Sequence, residues 1–448
     1  MIAPRAGEAA PGRRHSLSSA ALTVGVMTVL VGLATLVREQ LVAHYFGAGD
    51  AVDAFVMAST LPVFLVTVVA TSLASAHVPV AMALRSREGA RAGAELSGAV
   101  LLLLIAALIA CAVLLWLVAP AYIGWVATGF DAGKRRLAEH LLSLLLPMLV
   151  LGGVSAFLTA VLNAAGRFAI PALAPALVPV MAGAGVYGLH AELGIVVLAY
   201  ATDAGYAFQC LALVWLLLRG QGAALSGLGR HREEIGQVAG HYLPLVGGAA
   251  LMATTPLLDQ TMASWLVPGS VAQLGFGSVL TMFASGFGTR VLGGPALSIF
   301  SILAARADWT RLSAEFGRTM RLAILVSLPV SAVLALFSGP IIALVFGGGA
   351  FTPATALEVA RVQQMLCLQI PWYVASILAV RLLSALGMNR QIFAVAAANV
   401  LLNALLNFLL MRWLGVAGIA LATALVYGLA CAACWRLASR RLAQLCGT

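Results

Sequence analysis

Charge is scarce in this chain. Of 448 residues only 9% are charged and 62% are hydrophobic, with a mean hydropathy of +1.01. A soluble globular protein carries about 25% charged residues, so a water-solvated fold is excluded and a polytopic membrane protein is expected. Acids are the scarcer sign: 16 Asp and Glu against 26 Lys and Arg leave a formal net charge of +10. That excess requires no nucleic-acid partner, because basic cytoplasmic loops produce it in membrane proteins. Cysteine is sparse too. Cys111, Cys210, Cys367, Cys431 and Cys434 lie in or beside apolar runs, and Cys446 lies in the tail. The C-x-x-C of Cys431 and Cys434 has no second pair and reads as small core residues rather than a metal or redox site.

Catalytic motifs are missing. There is no HExxH, P-loop or G-x-S-x-G, and the His residues are dispersed. The extracytoplasmic connections are too short for a membrane glycosyltransferase or ligase. Neither an enzyme nor a cofactor is expected, and no metal beyond a coupling Na⁺; H⁺ is the other coupling ion open to the chain. A cleavable leader is not evident either, since residues 18–37 are of spanning length without a small-residue cleavage site.

What the chain has is apolar segments of about 20 residues, the length a bilayer core demands. Twelve are predicted, near 18–37, 54–80, 97–118, 140–162, 170–189, 193–217, 242–266, 271–300, 321–345, 363–385, 391–411 and 415–435. Loops after the even segments carry arginines such as Arg85, Arg87, Arg167, Arg219, Arg306 and Arg390. Both termini are therefore expected in the cytoplasm. Lys134-Arg135-Arg136, on the other side, is the exception. A shift of about 220 residues lays REQLVAHYFGAGDAVD over LDQTMASWLVPGSVAQ, and a shift of one more lays the Gly166 corner over the Gly387 corner. The expected fold is an all-α integral membrane protein of about twelve helices, in two six-helix lobes related by a parallel repeat around a central cavity. The divisions are a tail (1–17), an N-lobe (18–218), an inter-lobe linker (219–241), a C-lobe (242–435) and a second tail (436–448). The sequence does not set the oligomeric state, and a monomer suffices.

The polar residues inside or beside these segments are the candidate site. Arg38 leaves the first segment, a corner containing Gly47 and Gly49 follows, and Asp53 opens the second. Opposite charges at such a boundary either pair or face a water-filled cavity. Asp259 lies inside the seventh segment, where an ionised Asp costs about 3 kcal/mol and needs a partner, water or a cation. Asn399, Asn403 and Asn407 form one stripe on the eleventh. Thr423 on the twelfth is placed to complete an oxygen cage with Asp259 and two of these, a donor set suited to Na⁺. Arg290 and Arg381 each either snorkel or face the cavity. Asp203 is read as an inter-lobe or proton site, and His77 as a helix-packing histidine.

Several stretches resemble a known family. FGAGDAVDAFVMASTLP, LNAAGRFAIPALAP, LLDQTMASWLVPGSVAQL, VFGGGAFTP and NALLNFLLMRWLGVAGIALATAL are similar, in order, to segments of the MurJ/MviN flippases. The likeness implies the multidrug/oligosaccharidyl-lipid/polysaccharide exporter fold and alternating-access flipping of a lipid-linked saccharide in the bacterial inner membrane. It assigns substrate or gating roles to Arg38 and Asp53, and Na⁺ ligation in some members to positions matching Asp259, Asn403, Asn407 and Thr423. Lipid II flippases commonly carry arginines where this chain has Gly32, Val66 and Val279, and two C-terminal helices beyond its twelve. These departures leave an exopolysaccharide or capsule repeat unit as the alternative cargo, with a drug/cation antiporter behind it.

Overall fold

The computed structural model describes residues 11–221 and 230–446, with side chains described for 25–219, 230–289 and 296–446. It is helical throughout. The first half comprises α1 (Pro11–Phe46), α2 (Asp50–Leu65), a π-helical turn (Val66–Thr71), α3 (Ser72–Glu88), α4 (Ala90–Val126), α5 (Ala132–Leu144), α6 (Leu146–Ala164) and α7 (Ala169–Leu173). A 3₁₀ turn (Ala174–Ala176), α8 (Leu177–Leu193) and α9 (Val196–Gln221) complete it. The second half comprises α10 (Arg232–Ala263), α11 (Ser270–Ala305), α12 (Trp309–Leu336), α13 (Ser338–Phe346), α14 (Pro353–Cys367), α15 (Gln369–Ala385), α16 (Asn389–Leu414) and α17 (Val416–Cys446).

Taken as passes, these helices follow the twelve predicted segments in order. Among the described residues, eleven stretches are long and apolar enough to cross a bilayer. The seventh segment is the exception by composition alone. It is an unbroken helix, α10, but Pro244, Thr254, Thr255, Pro256, Asp259 and Gln260 dilute its apolar character. Helix α10 also begins at Arg232, inside the segment expected to be linker. The linker's residues 222–229, and the tail's residues 1–10 and 447–448, lie outside the described residues.

The repeat is visible in the backbone. Helix α8 ends on Gly194 (φ 56°) and α16 on Gly415 (φ 57°); Gly166 (φ 80°) and Gly387 (φ 71°) turn the corresponding corners at the opposite end. Asp131 caps α5 through Gly133 and Lys134, and its counterpart Thr352 caps α14 through Thr355. Equal spacing of caps and left-handed corners makes the two halves bend alike.

The largest buried cluster crosses between the halves. It joins Val42, Val52 and Ile123 to Met262, Val271, Phe346 and Phe351, so the lobes are packed shut at the end where α1 meets α2 and α10 meets α11. At the other end α10 lies along the N-lobe: Val238 joins the N-lobe cluster, and Glu95 of α4 takes contacts from Arg91, Arg230 and His231 at 3.0–3.5 Å. His77 is fully buried and bonds Ser97 at 2.9 Å, which is the packing role expected for it.

Candidate functional site: a cavity and an inter-lobe latch

Between α1, α2 and α11 lies a cavity of about 500 Å³. Its walls are mostly apolar, with Phe55, Phe276, Phe283, Phe287 and Met282 facing Val31, Leu36 and Val42. Arg38 and Glu39 supply the charge, and their side chains form an ion pair with each other. Arg38 is the one cation in this lining among the residues described, and its Nε is buried without a hydrogen-bond partner. Gly32 and Val279, the positions of two family arginines, both line the cavity; Val66 is not in the lining and begins the π turn instead. At Gly32 an added Cβ would sit 2.3 Å from the Phe283 ring, so α1 and α11 touch there because residue 32 has no side chain.

The sequence placed Arg38 and Asp53 together at one turn. The structure separates their tasks. Asp53 is 1% exposed and outside the cavity. Its Oδ2 accepts from the Gly269 N–H at 2.8 Å and from Lys134 Nζ at 2.6 Å, and its Oδ1 accepts from the Ala272 N–H at 2.7 Å. Gly269 and Ala272 open α11, whose N-terminal amides have no partner within the helix. Asp53 of one lobe thus caps the first long cavity helix of the other, where a negative charge also meets the positive end of the helix dipole. We call this contact the latch.

Lys134 completes it, and sequence reasoning missed that role. Its Nζ also reaches Asp50 at 2.6 Å and lies 4.1 Å from the centre of the Phe130 ring. Arg135 donates to the carbonyls of Ala127 and Thr128. The basic run that broke the loop-charge pattern is therefore spent on local contacts, and that anomaly was the available signal.

The loops around the latch interlock through backbone. Gly269 has φ 88°, and a Cβ on it would lie 2.3 Å from the Ala48 carbonyl oxygen. Ala350 donates to the His44 carbonyl at 2.8 Å, and a Cβ on Gly349 would lie 2.2 Å from that same oxygen. Of the predicted corners, Gly47 has φ 64° and belongs to this region, whereas Gly49 is extended and serves as the N-cap of α2. Gly49 therefore needs no left-handed freedom.

Within the C-lobe a second polar group forms. Asp259 Oδ1 accepts from Asn407 Nδ2 at 2.7 Å, and its Oδ2 accepts from Thr423 Oγ1 at 3.0 Å. Asn407 Nδ2 also lies 3.3 Å from Asn403 Oδ1. All four side chains are buried, and Asn407 Oδ1 and Asn403 Nδ2 have no partner. The four residues predicted to meet do meet. Asn399 takes no part in these bonds. Arg381 is exposed on α15 and absent from the cavity lining, and the side chain of Arg290 lies outside the described residues. Asp203 is half-buried on α9, with Oδ1 unpartnered.

The model of the MurJ family, described as lipid II flippase MurJ, matches residues 42–447. The chain belongs to the MurJ family. A MurJ of Synechocystis is 28% identical over 431 residues, covering 91% of this chain and 79% of that one. A solved MurJ, described as an inward closed conformation, superposes with a TM-score of 0.79 at 19% identity, covering 93% of this chain and 87% of the other. An inward-facing multidrug transporter of the MATE family superposes with a TM-score of 0.82 at 14% identity, covering 96% and 99%. At such identities the superpositions establish the MurJ and MATE fold and nothing finer. The membrane-spanning, two-lobed architecture is thus fixed on three counts: composition, helices and family.

Proposed function

We propose that this chain flips an undecaprenyl-diphosphate-linked saccharide of the lipid II type across the bacterial inner membrane by alternating access. The observation that carries the reading is MurJ membership over residues 42–447. The geometry agrees with it: the lobes are latched at one end, and the inter-lobe cavity holds Arg38. Arginine's planar fork holds phosphate oxygens bidentately, and in an apolar cavity each such charge counts for more than in water. We orient the chain with both termini in the cytoplasm and the latch outside, from the arginine-rich connections at the opposite end.

One observation favours the second reading, an exopolysaccharide or capsule unit. Gly32 and Val279 leave the described cavity wall with a single cation where lipid II flippases commonly have more. Expression in cells depleted of their own lipid II flippase separates the two. Growth at ordinary expression fixes lipid II as cargo; no growth, with the protein correctly inserted, favours the exopolysaccharide unit.

The cluster of Asp259, Asn403, Asn407 and Thr423 is our candidate for coupling to Na⁺. The four side chains offer a carboxylate, two amide oxygens and a hydroxyl, which suits a hard cation, and Asn407 Oδ1 is an acceptor without a partner. Turning the Asn407 amide over would replace a donor with an oxygen facing Asp259. Na⁺ should then raise the melting temperature of the wild type by mass action and leave Asp259→Ala unmoved. Equal shifts in both proteins would dismiss this site. No shift in either leaves H⁺ or the membrane potential as the driver.

A further inference from the structure

A second pocket, also of about 500 Å³, opens on the outer surface of the N-lobe between α4 and α5, away from the cavity and the latch. Arg136, Glu139, His140 and Ser143 of α5 line one side; Trp116 and Leu117 of α4 belong to the other. The spacing of the α5 residues puts them on one face, since residues three and four apart are neighbours on a helix. Helix α4 is the most apolar stretch in the chain, and its outward face is bare: Leu114 is 61% exposed, Trp116 59% and Leu117 63%. In a membrane protein such a face is covered by lipid chains, so the pocket is entered from the bilayer.

The charges in it are unsatisfied. Arg136 and Glu139 stand three apart yet form no ion pair with each other or with another described residue; Arg136 uses only Nε, on the Ala132 carbonyl. Both lie outside the described candidate spans, where a charged headgroup rather than an acyl chain can meet them. The helix is also held rigidly. Its buried face is pinned by Lys134 to Asp50 and Asp53, and its start by Arg135 to two carbonyls. The outward face is thus preformed, which lowers the ordering cost of binding.

We propose that this pocket binds one zwitterionic phospholipid of the phosphatidylethanolamine class, its phosphate on Arg136 and His140, its ammonium on Glu139 and its acyl chains along α4. A basic and an acidic side chain, adjacent but unpaired, complement a phosphate joined to an ammonium by two carbons. An anionic headgroup would meet Glu139 as a repulsion. The site is distinct from the transport cavity and does not depend on the cargo.

The test is native mass spectrometry of the purified full chain titrated with dioleoyl phosphatidylethanolamine or dioleoyl phosphatidylglycerol. Arg136→Ala and Glu139→Ala should each weaken the first phosphatidylethanolamine adduct roughly fivefold, as loss of one exposed ion pair does, while Glu139→Ala leaves phosphatidylglycerol binding no weaker. Arg136 is exposed and Glu139 half-buried, and an unchanged melting temperature in each variant shows that folding is not at issue. Adducts unchanged in both variants would overturn the site. So would a phosphatidylglycerol preference that Arg136→Ala abolishes and Glu139→Ala strengthens, which marks an anionic headgroup. O-phosphoethanolamine competing at the lipid's own concentration would show that the acyl chains contribute nothing, and would overturn the lipid as occupant.

Discussion

Replacing Asp53 by Ala should open the latched end of the molecule. Of the three hydrogen bonds Asp53 accepts, the one from Lys134 lies within the N-lobe and survives any motion of the lobes. The two from Gly269 and Ala272, at 2.8 and 2.7 Å, cross between lobes and exist only when they are shut. A hydrogen bond to a charged group contributes about 1.5–3 kcal/mol net. Losing two therefore weakens the closed arrangement by about 3 kcal/mol at the lower end, roughly a 150-fold change in the closed-to-open ratio. Spin labels at Trp125 and Val267, both well exposed on opposite lobes at this end, would report the separation by pulsed electron resonance in a cysteine-free background. The variant should move population to longer distances and lose flipping in a spheroplast assay while inserting normally. An unchanged distance distribution would refute the capping argument, whatever happens to transport.

Lys134→Met should destabilise the N-lobe by about 3–5 kcal/mol, because it strands two carboxylates, one of them deeply buried, without their cation; thermal unfolding reads this, and a loss under 1 kcal/mol would contradict it. Gly269→Ala should act in the same direction as Asp53→Ala, since the new methyl meets the Ala48 carbonyl only when the lobes are closed; the same spin-label pair tests it. Arg38→Ala should abolish flipping and Arg38→Lys should restore part of it, keeping the charge but losing the fork; full activity in Arg38→Ala would remove Arg38 from the site. The Lys134 and Gly133 amides hold the Asp131 carboxyl below the usual carboxylate range. Its capping contribution to α5 is therefore present above the ordinary Asp value and fades only as pH falls through the lowered one; NMR titration of Asp131 should give a value below that of an unstructured Asp.

Much of this chain was legible one segment at a time. Apolar runs and the recurrence of Gly166 at Gly387 gave the passes and the repeat, because a bilayer demands length and apolarity locally. The same logic singled out Asp259, Asn403, Asn407 and Thr423: polar groups in apolar helices are few and must find one another, and they did. It failed where a residue's partner is chosen by packing. Asp53 looked like a companion of Arg38, but its partners lie 81, 216 and 219 residues away on α5 and α11. Arg38 pairs instead with its neighbour Glu39 and faces a cavity whose apolar walls come from both lobes. Lys134 read as a stray charge on the wrong side of the membrane until folding buried it between two acids. Periodicity and hydropathy are properties of a segment and survive without a fold. Which helix end meets which carboxylate depends on how two lobes close, and only the tertiary structure decides it.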